Sequence, residues 1–186
     1  MSGIKSVTVY CGSADGADPM YGDLACRLGK AIAKRGWRTV YGGGNVGLMG
    51  KVATNARDAG GKVLGVMPHF LRELEGVLDG IENRYTDNMH QRKQALLDEA
   101  DGLIVLPGGI GTLEEAVETL SWAKLNLHRK PMAFLSENKY WSPYFVLVDH
   151  MIEGGFLPES FRNLMADTNS PEAALQALHE RAIVLD

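Results

Sequence analysis

The sequence predicts an α/β fold in which one parallel sheet is covered by helices on both faces. Short runs rich in β-branched residues alternate with amphipathic stretches along the chain. Several of the short runs are fully apolar, which is typical of strands buried in a parallel sheet. Alternating units of this kind, joined by short loops, form right-handed crossovers and a Rossmann-like arrangement. The length of 186 residues fits one domain, 1–186.

The first third of the chain has a β-α-β-α-β pattern. Pro19 begins a helix whose apolar residues recur every four positions until Gly36. Gly60 and Gly61 end a second helix, and Pro68 ends a third strand. The predicted elements are strands at 4–10, 37–41 and 62–67 and helices at 19–36 and 47–59.

The rest of the chain continues the alternation after a polar connection at 69–87 that contains one short strand near 83–86. A fully apolar run at 102–106 is followed by a turn at 107–111 that leads directly into a helix. The other predicted elements are helices at 88–100, 112–127, 144–153 and 171–182 and a strand at 132–135. In such sheets ligands bind outside the carboxyl ends of the strands.

Composition and spacing exclude several classes of function. The chain has 19 basic and 23 acidic residues and a net charge of −4, and its basic residues are dispersed, so we expect no nucleic-acid partner. No run approaches the ~20 apolar residues of a membrane span, so we expect no membrane contact. Cys11 and Cys26 form no C-x-x-C motif, which favours the cytoplasm. The histidines lack metal-ligand spacing, so we expect no metal. We also expect no cofactor.

Glycine is in excess, because it accounts for 22 of the 186 residues, or 12%, against the ~7% usual for globular proteins. The first glycine cluster, at 42–50, satisfies the dinucleotide fingerprint G-x-G-x-x-G with Gly42, Gly44 and Gly47. Two features oppose NAD binding. The cluster follows the second strand, and the next strand runs into Pro68 without an acidic residue for the ribose. A tight turn with close helix packing is the structural alternative.

The second glycine cluster lies between a buried strand and a helix, at residues 107–115 (Pro-Gly-Gly-Ile-Gly-Thr-Leu-Glu-Glu). Glycines let backbone N–H groups approach an anion closely, and the positive end of the helix dipole favours a phosphate there. Thr112 can add a hydroxyl donor. An alternative stays open, because Thr112 and Glu115 also fit a capping box, in which both side chains only cap the helix.

Arg92 is the third candidate. In a helix it lies three residues after Met89 and four before Leu96, on the same face as these apolar residues. A guanidinium beside a buried stripe needs an anionic partner. The alternative is an arginine that reaches solvent or pairs with Asp98 or Glu99.

These segments carry a family resemblance. Residues 107–115 match the signature P-G-G-x-G-T-x-x-E, and Met89-His-Gln-Arg-Lys93 matches a second motif. Val9-Tyr-Cys-Gly-Ser13, residues 42–50 and Ser121-Trp122 also match. Over residues 4–131 the chain resembles the Lonely-guy (LOG) family, which consists of cytokinin riboside 5′-monophosphate phosphoribohydrolases. Relatives of that family include general nucleotide nucleosidases and a molybdenum-cofactor carrier.

The resemblance implies hydrolysis of the N-glycosidic bond of a cytokinin riboside 5′-monophosphate or AMP, which releases free base and ribose 5-phosphate. It implies Arg92 and Glu115 as the catalytic pair, and a homodimer whose interface includes the helix of Arg92 and the helix after Thr112. The implied substrate-binding residues are Gly108, Gly109, Ile110, Gly111, Thr112, Leu113, Glu114, Lys93, Ser121, Glu73, Gly44, Asn45 and Met89.

Further expectations concern Glu115 and the alternative functions. Glu115 should lie on the first helical turn, and the charge of Arg92 should keep the pKa of Glu115 low. A non-catalytic nucleotide or cofactor carrier stays open as an alternative function, although a carrier needs the glycines and not the Arg92–Glu115 pair. Lysine decarboxylase, a label sometimes attached to the family, lacks support because no lysine has the context of a pyridoxal Schiff base.

Overall fold

The computed structural model describes residues 3–185, which form one sheet of seven parallel strands. The strands are β1 (Ser6–Tyr10), β2 (Arg38–Tyr41), β3 (Val63–Pro68), β4 (Glu82–Thr86), β5 (Gly102–Val105), β6 (Met132–Leu135) and β7 (Met165–Thr168). Their order across the sheet is β4-β3-β2-β1-β5-β6-β7. Because β1 pairs with both β2 and β5, the strand order reverses at β1, where α/β sheets bind ligands.

Six α-helices connect these strands within the described residues, and a seventh follows β7. They are α1 (Pro19–Lys34), α2 (Gly47–Asp58), α3 (Arg72–Glu75), α4 (Met89–Asp98), α5 (Ile110–Lys124), α6 (Ser142–Glu153) and α7 (Pro171–Leu185). Side-chain caps begin three of them. Asp18 accepts a hydrogen bond from the Met20 N–H and Asn88 accepts one from the Gln91 N–H, both at 2.9 Å, and Ser170 Oγ accepts one from the Ala173 N–H at 3.2 Å. In residues 3–185 no helix is long and apolar enough to cross a membrane.

Each face of the sheet has its own hydrophobic core. On one face, α1, α2 and α7 bury side chains such as Leu28 and Leu178 against the strands. On the other face, α4, α5 and α6 bury side chains such as Leu96 and Leu120. The predicted α/β class, with a parallel sheet and helices on both faces, is therefore confirmed.

The structure corrects two local predictions. Strand β7, preceded by a 3-10 turn at Glu159–Leu164, was not predicted; it is a short edge strand that is buried only at its first two residues. Helix α5 begins at Ile110, two residues earlier than predicted, with Gly109 at the N-cap and no side-chain cap. Thr112 is therefore the third helical residue, and the capping-box interpretation is wrong.

Candidate functional site

A cavity of about 310 Å³ opens at the carboxyl ends of the strands where the sheet order reverses. Its wall combines the end of β1 and the following loop with the first residue after β2, and adds residues from α2, α3, α4 and α5. The lining residues are Val9, Tyr10, Cys11, Gly12, Ser13, Gly42, Met49, Glu75, Arg92, Gly109, Ile110, Gly111, Thr112 and Glu115. The two glycine clusters and Arg92, far apart in sequence, thus meet at one site.

Arg92 and Glu115 form an ion pair inside this cavity. Arg92 Nη1 lies 3.3 Å from Glu115 Oε1, and the two side chains are only 9% and 12% exposed. Two backbone carbonyls hold the guanidinium in place, since Nε donates to Val66 O and Nη2 donates to Gly42 O, each at 3.3 Å. The anionic partner of Arg92 is therefore Glu115, and the alternative pairing with Asp98 or Glu99 is wrong.

The position of Arg92 explains why residue 42, directly after β2, is a glycine. A Cβ atom at this position would lie 2.1 Å from Arg92 Nη2, well inside any permitted contact. The guanidinium occupies the space that a side chain would fill. The first glycine cluster therefore makes room for the charged pair, in addition to forming a turn.

Burial controls the ionisation of Glu115. Removal of the carboxylate from water raises its pKa to about 7, and the opposing effect of Arg92 is smaller. The expectation that Arg92 keeps this pKa low is wrong, because the sequence did not reveal how deeply the carboxylate is buried. The position of Glu115 also differs from the expectation, since it is the sixth residue of α5 and lies on the second turn.

Glu75 is a site residue that the sequence analysis missed. It is the last residue of α3, and its Oε2 atom is buried with no hydrogen-bond partner among the described residues. Burial raises the pKa of Glu75, while Arg92 lowers it. Glu73, two residues earlier, is exposed and does not line the cavity. A helix of one turn has no periodicity by which the sequence could distinguish the two.

The first glycine cluster also accommodates Glu75. A Cβ atom on Gly44 would lie 2.7 Å from Glu75 Oε2. The backbone of the same cluster holds the end of α3, because the Asn45 N–H donates to the Glu75 carbonyl at 2.9 Å. Gly44 and Asn45 thus position Glu75 at the cavity, although neither lines it.

The second glycine cluster supplies backbone donors. Residues 109–112 line the cavity at the beginning of α5, and the N–H groups of a first helical turn have no partner within the helix. Gly108 is packed so closely that a Cβ atom would lie 2.2 Å from Thr112 Oγ1. This arrangement of free N–H groups, helix dipole and a buried threonine suits an anion such as a phosphate.

The remaining predicted contacts lie outside this wall. Lys93 Nζ donates to Glu114 Oε1 at 2.6 Å and to Glu118 Oε1 at 3.0 Å, which ties α4 to α5. Met89 and Ser121 are exposed, and Leu113 packs against the core. Within residues 3–185, no group of three or more His, Cys, Asp or Glu side chains could hold a metal ion.

Comparison with known proteins places the chain in a family. A family model described as "Possible lysine decarboxylase" matches residues 49–178. The chain is 41% identical over 176 residues to the cytokinin riboside 5′-monophosphate phosphoribohydrolase of Rhodococcoides fascians, an alignment that covers 94% of this chain and 89% of that protein. The chain belongs to the Lonely-guy family.

A second LOG relative agrees with this placement, and two solved structures share the fold. The cytokinin riboside 5′-monophosphate phosphoribohydrolase LOG of Oryza sativa subsp. japonica is 39% identical over 181 residues, with 96% of this chain and 74% of that protein covered. The molybdenum cofactor carrier protein MCP of Chlamydomonas reinhardtii matches with a TM-score of 0.72 at 21% identity, over 96% of this chain and 98% of that one. The molybdenum cofactor binding protein of Rippkaea orientalis matches with a TM-score of 0.70 at 23% identity, over 96% of each chain. At these identities the two structures show a shared fold.

Proposed function

We propose that this chain is an N-glycosyl hydrolase that acts on cytokinin riboside 5′-monophosphates or AMP and releases free base and ribose 5-phosphate. The observation that carries the proposal is the buried Arg92–Glu115 pair, which faces the same cavity as the first turn of α5. Relatives at about 40% identity bear the name of this activity, and most of their length aligns with this chain.

The substrate phosphate would bind at the beginning of α5. Free N–H groups of residues 109–112 and the Thr112 hydroxyl provide donors, and the helix dipole favours a dianion there. Phosphate binding would hold the ribose against the cavity wall that carries Glu115. Binding energy from this remote group then serves to orient the glycosidic bond.

Glu115 would act on the anomeric carbon. Cleavage of an N-glycosidic bond builds positive charge on the ribose, and a carboxylate can stabilise that charge or take a proton from the attacking water. A pKa of about 7 suits a group that exchanges a proton near neutral pH. Arg92, held by two carbonyls, would keep the carboxylate in position.

Glu75 would face the base. Its unpartnered Oε2 atom can accept a hydrogen bond from an exocyclic amine of an adenine-type base. We propose Glu75 as a substrate contact in place of Glu73. The other contacts implied by the resemblance, Gly108, Leu113, Glu114, Lys93, Ser121, Gly44, Asn45 and Met89, remain predictions.

Chromatography of the reaction products tests the proposal. Purified protein is incubated with AMP and with isopentenyladenosine 5′-monophosphate, and free base is quantified. Wild-type protein should release base from at least one of the two nucleotides. The relative rates measure the preference of the cavity for one base over the other. Glu115→Gln should abolish release while nucleotide binding persists, and Arg92→Ala should reduce turnover about 100-fold or more.

Two other activities make different predictions. A non-catalytic nucleotide or cofactor carrier would bind nucleotide and release no base from either compound. A lysine decarboxylase would need a lysine to form a Schiff base with pyridoxal phosphate, whereas the wall of the cavity, as the described residues form it, contains none. Base release without decarboxylation of lysine would exclude both.

We also propose a homodimer in the cytoplasm. Helix α5 presents exposed apolar side chains, Ile110 and Val117, on the part of its surface that the fold leaves uncovered. Light scattering coupled to size-exclusion chromatography should give the mass of two chains, and Val117→Asp should shift it to one. Both cysteines are free thiols, as a reducing compartment favours.

A further inference from the structure

One tyrosine contacts the second glycine cluster from outside the cavity that holds Arg92 and Glu115. The Tyr140 hydroxyl donates a hydrogen bond to the Gly108 carbonyl at 2.7 Å. Tyr140 lies in the loop between β6 and α6 and lines a second cavity of about 270 Å³, which shares Gly12 and Ser13 with the first. Gly109 borders both cavities.

We propose that Tyr140 is a positioning residue that orients the Gly108–Gly109 peptide for phosphate binding. The inference rests on the proposed function, because it concerns the loop assigned there to the substrate phosphate. Tyr140 itself would not touch the substrate.

Peptide geometry links the tyrosine to the catalytic cavity. The carbonyl of Gly108 and the N–H of Gly109 belong to one planar trans peptide, so they point in opposite directions. Tyr140 draws the carbonyl toward the second cavity. The Gly109 N–H is thereby turned away from Tyr140, and Gly109 itself lines the cavity that holds Arg92 and Glu115.

The hydroxyl is needed because this peptide lies between two glycines. Reversal of a peptide changes ψ of the residue before it and φ of the residue after it. Gly109 has φ −87° in the observed orientation, and reversal would bring this angle into the positive range that glycine adopts without strain. The torsion preferences of the two glycines therefore allow both orientations of the peptide. The hydrogen bond from Tyr140 selects the one in which the Gly109 N–H points away from Tyr140.

The ring of Tyr140 is held independently of its hydroxyl. Its edge-to-face contacts are with Tyr21, at 5.7 Å between ring centres, and with Trp141, at 5.0 Å. Tyr140→Phe therefore removes the hydrogen bond and leaves the ring packed. Tyr21→Phe is a matched control, because the Tyr21 hydroxyl accepts a hydrogen bond from Asn138 Nδ2 at 2.8 Å and its ring packs against Tyr140.

Calorimetric titration of the full chain with ribose 5-phosphate and, separately, with adenine tests the proposal. Loss of one hydrogen bond's net contribution corresponds to roughly a fivefold change in a dissociation constant. In Tyr140→Phe the Kd of ribose 5-phosphate should rise about fivefold while the Kd of adenine stays at the wild-type value. In Tyr21→Phe both constants should match wild type, and thermal unfolding should confirm that both variants fold.

Each outcome separates the inference from the proposed function. An unchanged Kd for ribose 5-phosphate in Tyr140→Phe overturns the inference, and so does an equal rise for both ligands, which would indicate general loosening of the site. Neither titration requires turnover. Wild-type protein that binds ribose 5-phosphate and releases no base from nucleotides would contradict the proposed function and leave the role of Tyr140 standing.

Discussion

Replacement of Glu115 by glutamine should stabilise the protein at alkaline pH relative to wild type. The carboxylate is buried, and its pKa in the folded chain is about 7 against an ordinary value of 4.5. Between these two pH values the folded state holds a proton that the unfolded state has already lost. Stability therefore falls as pH rises through this interval and stays lower above it.

The size of the effect follows from the same two values. Each pH unit between them corresponds to about 1.4 kcal/mol, so ionisation of Glu115 costs the folded state about 3 kcal/mol by the time the pH exceeds 7. Glutamine resembles the protonated acid and cannot ionise. The difference in free energy of unfolding between Glu115→Gln and wild type should thus move by about 3 kcal/mol in favour of the variant from acidic to alkaline pH.

Denaturant titrations of both proteins at a series of pH values measure this difference. The slope of the free energy against denaturant concentration should be the same in the two proteins, so that the midpoints report stability alone. A difference that does not depend on pH would refute the argument. A variant that loses relative stability as the pH rises would show that the Arg92 charge outweighs burial.

In wild type, kcat/KM for base release should rise with pH through about 7 if the ionised carboxylate acts in catalysis.

Four more substitutions, one of them a control, test the site and the fold. Gly42→Ala should lower base release about 100-fold without unfolding the protein, because the new methyl group displaces the Arg92 guanidinium; the assay is product chromatography with circular dichroism as a check. Glu75→Gln should raise KM for AMP about tenfold, whereas Glu73→Gln should leave it unchanged, and the reverse pattern would favour Glu73 as the substrate contact. Asn88→Ala should reduce stability by about 1 kcal/mol through loss of the α4 cap, seen as a lower denaturant midpoint.

The sequence predicts most of the fold because local patterns determine it. Apolar runs such as 102–106 and 132–135 are long enough to mark strands buried on both faces. Pro19 and the glycine pair at 60–61 mark helix ends with backbone chemistry that needs no tertiary context. β7 lacked such a signal, because a four-residue edge strand that contains Asp167 has neither an apolar run nor a clear alternation.

The site was less predictable because its geometry depends on packing across the sheet. Arg92 stood out as a guanidinium on an apolar face, and the glycine-rich start of α5 as an anion site. The depth at which Glu115 is buried, and hence the direction of its pKa shift, depends on residues from several segments that meet only in the folded chain. Glu75 reaches the cavity through a one-turn helix, which leaves no pattern in the sequence.

The energetic cost of Glu115 itself favours catalysis over simple binding. When ionised, Glu115 destabilises the folded chain above its pKa. Its negative charge also faces the cavity in which a phosphate dianion would bind, and repulsion between the two lowers the affinity for that ligand. A protein that only carried a nucleotide would bind more tightly without it. Glu115→Gln should therefore bind AMP at least as tightly as wild type at pH values above about 7, as titration calorimetry would show, while it releases no base. Weaker binding in this variant would mean that the carboxylate contributes to nucleotide affinity, and it would refute this argument.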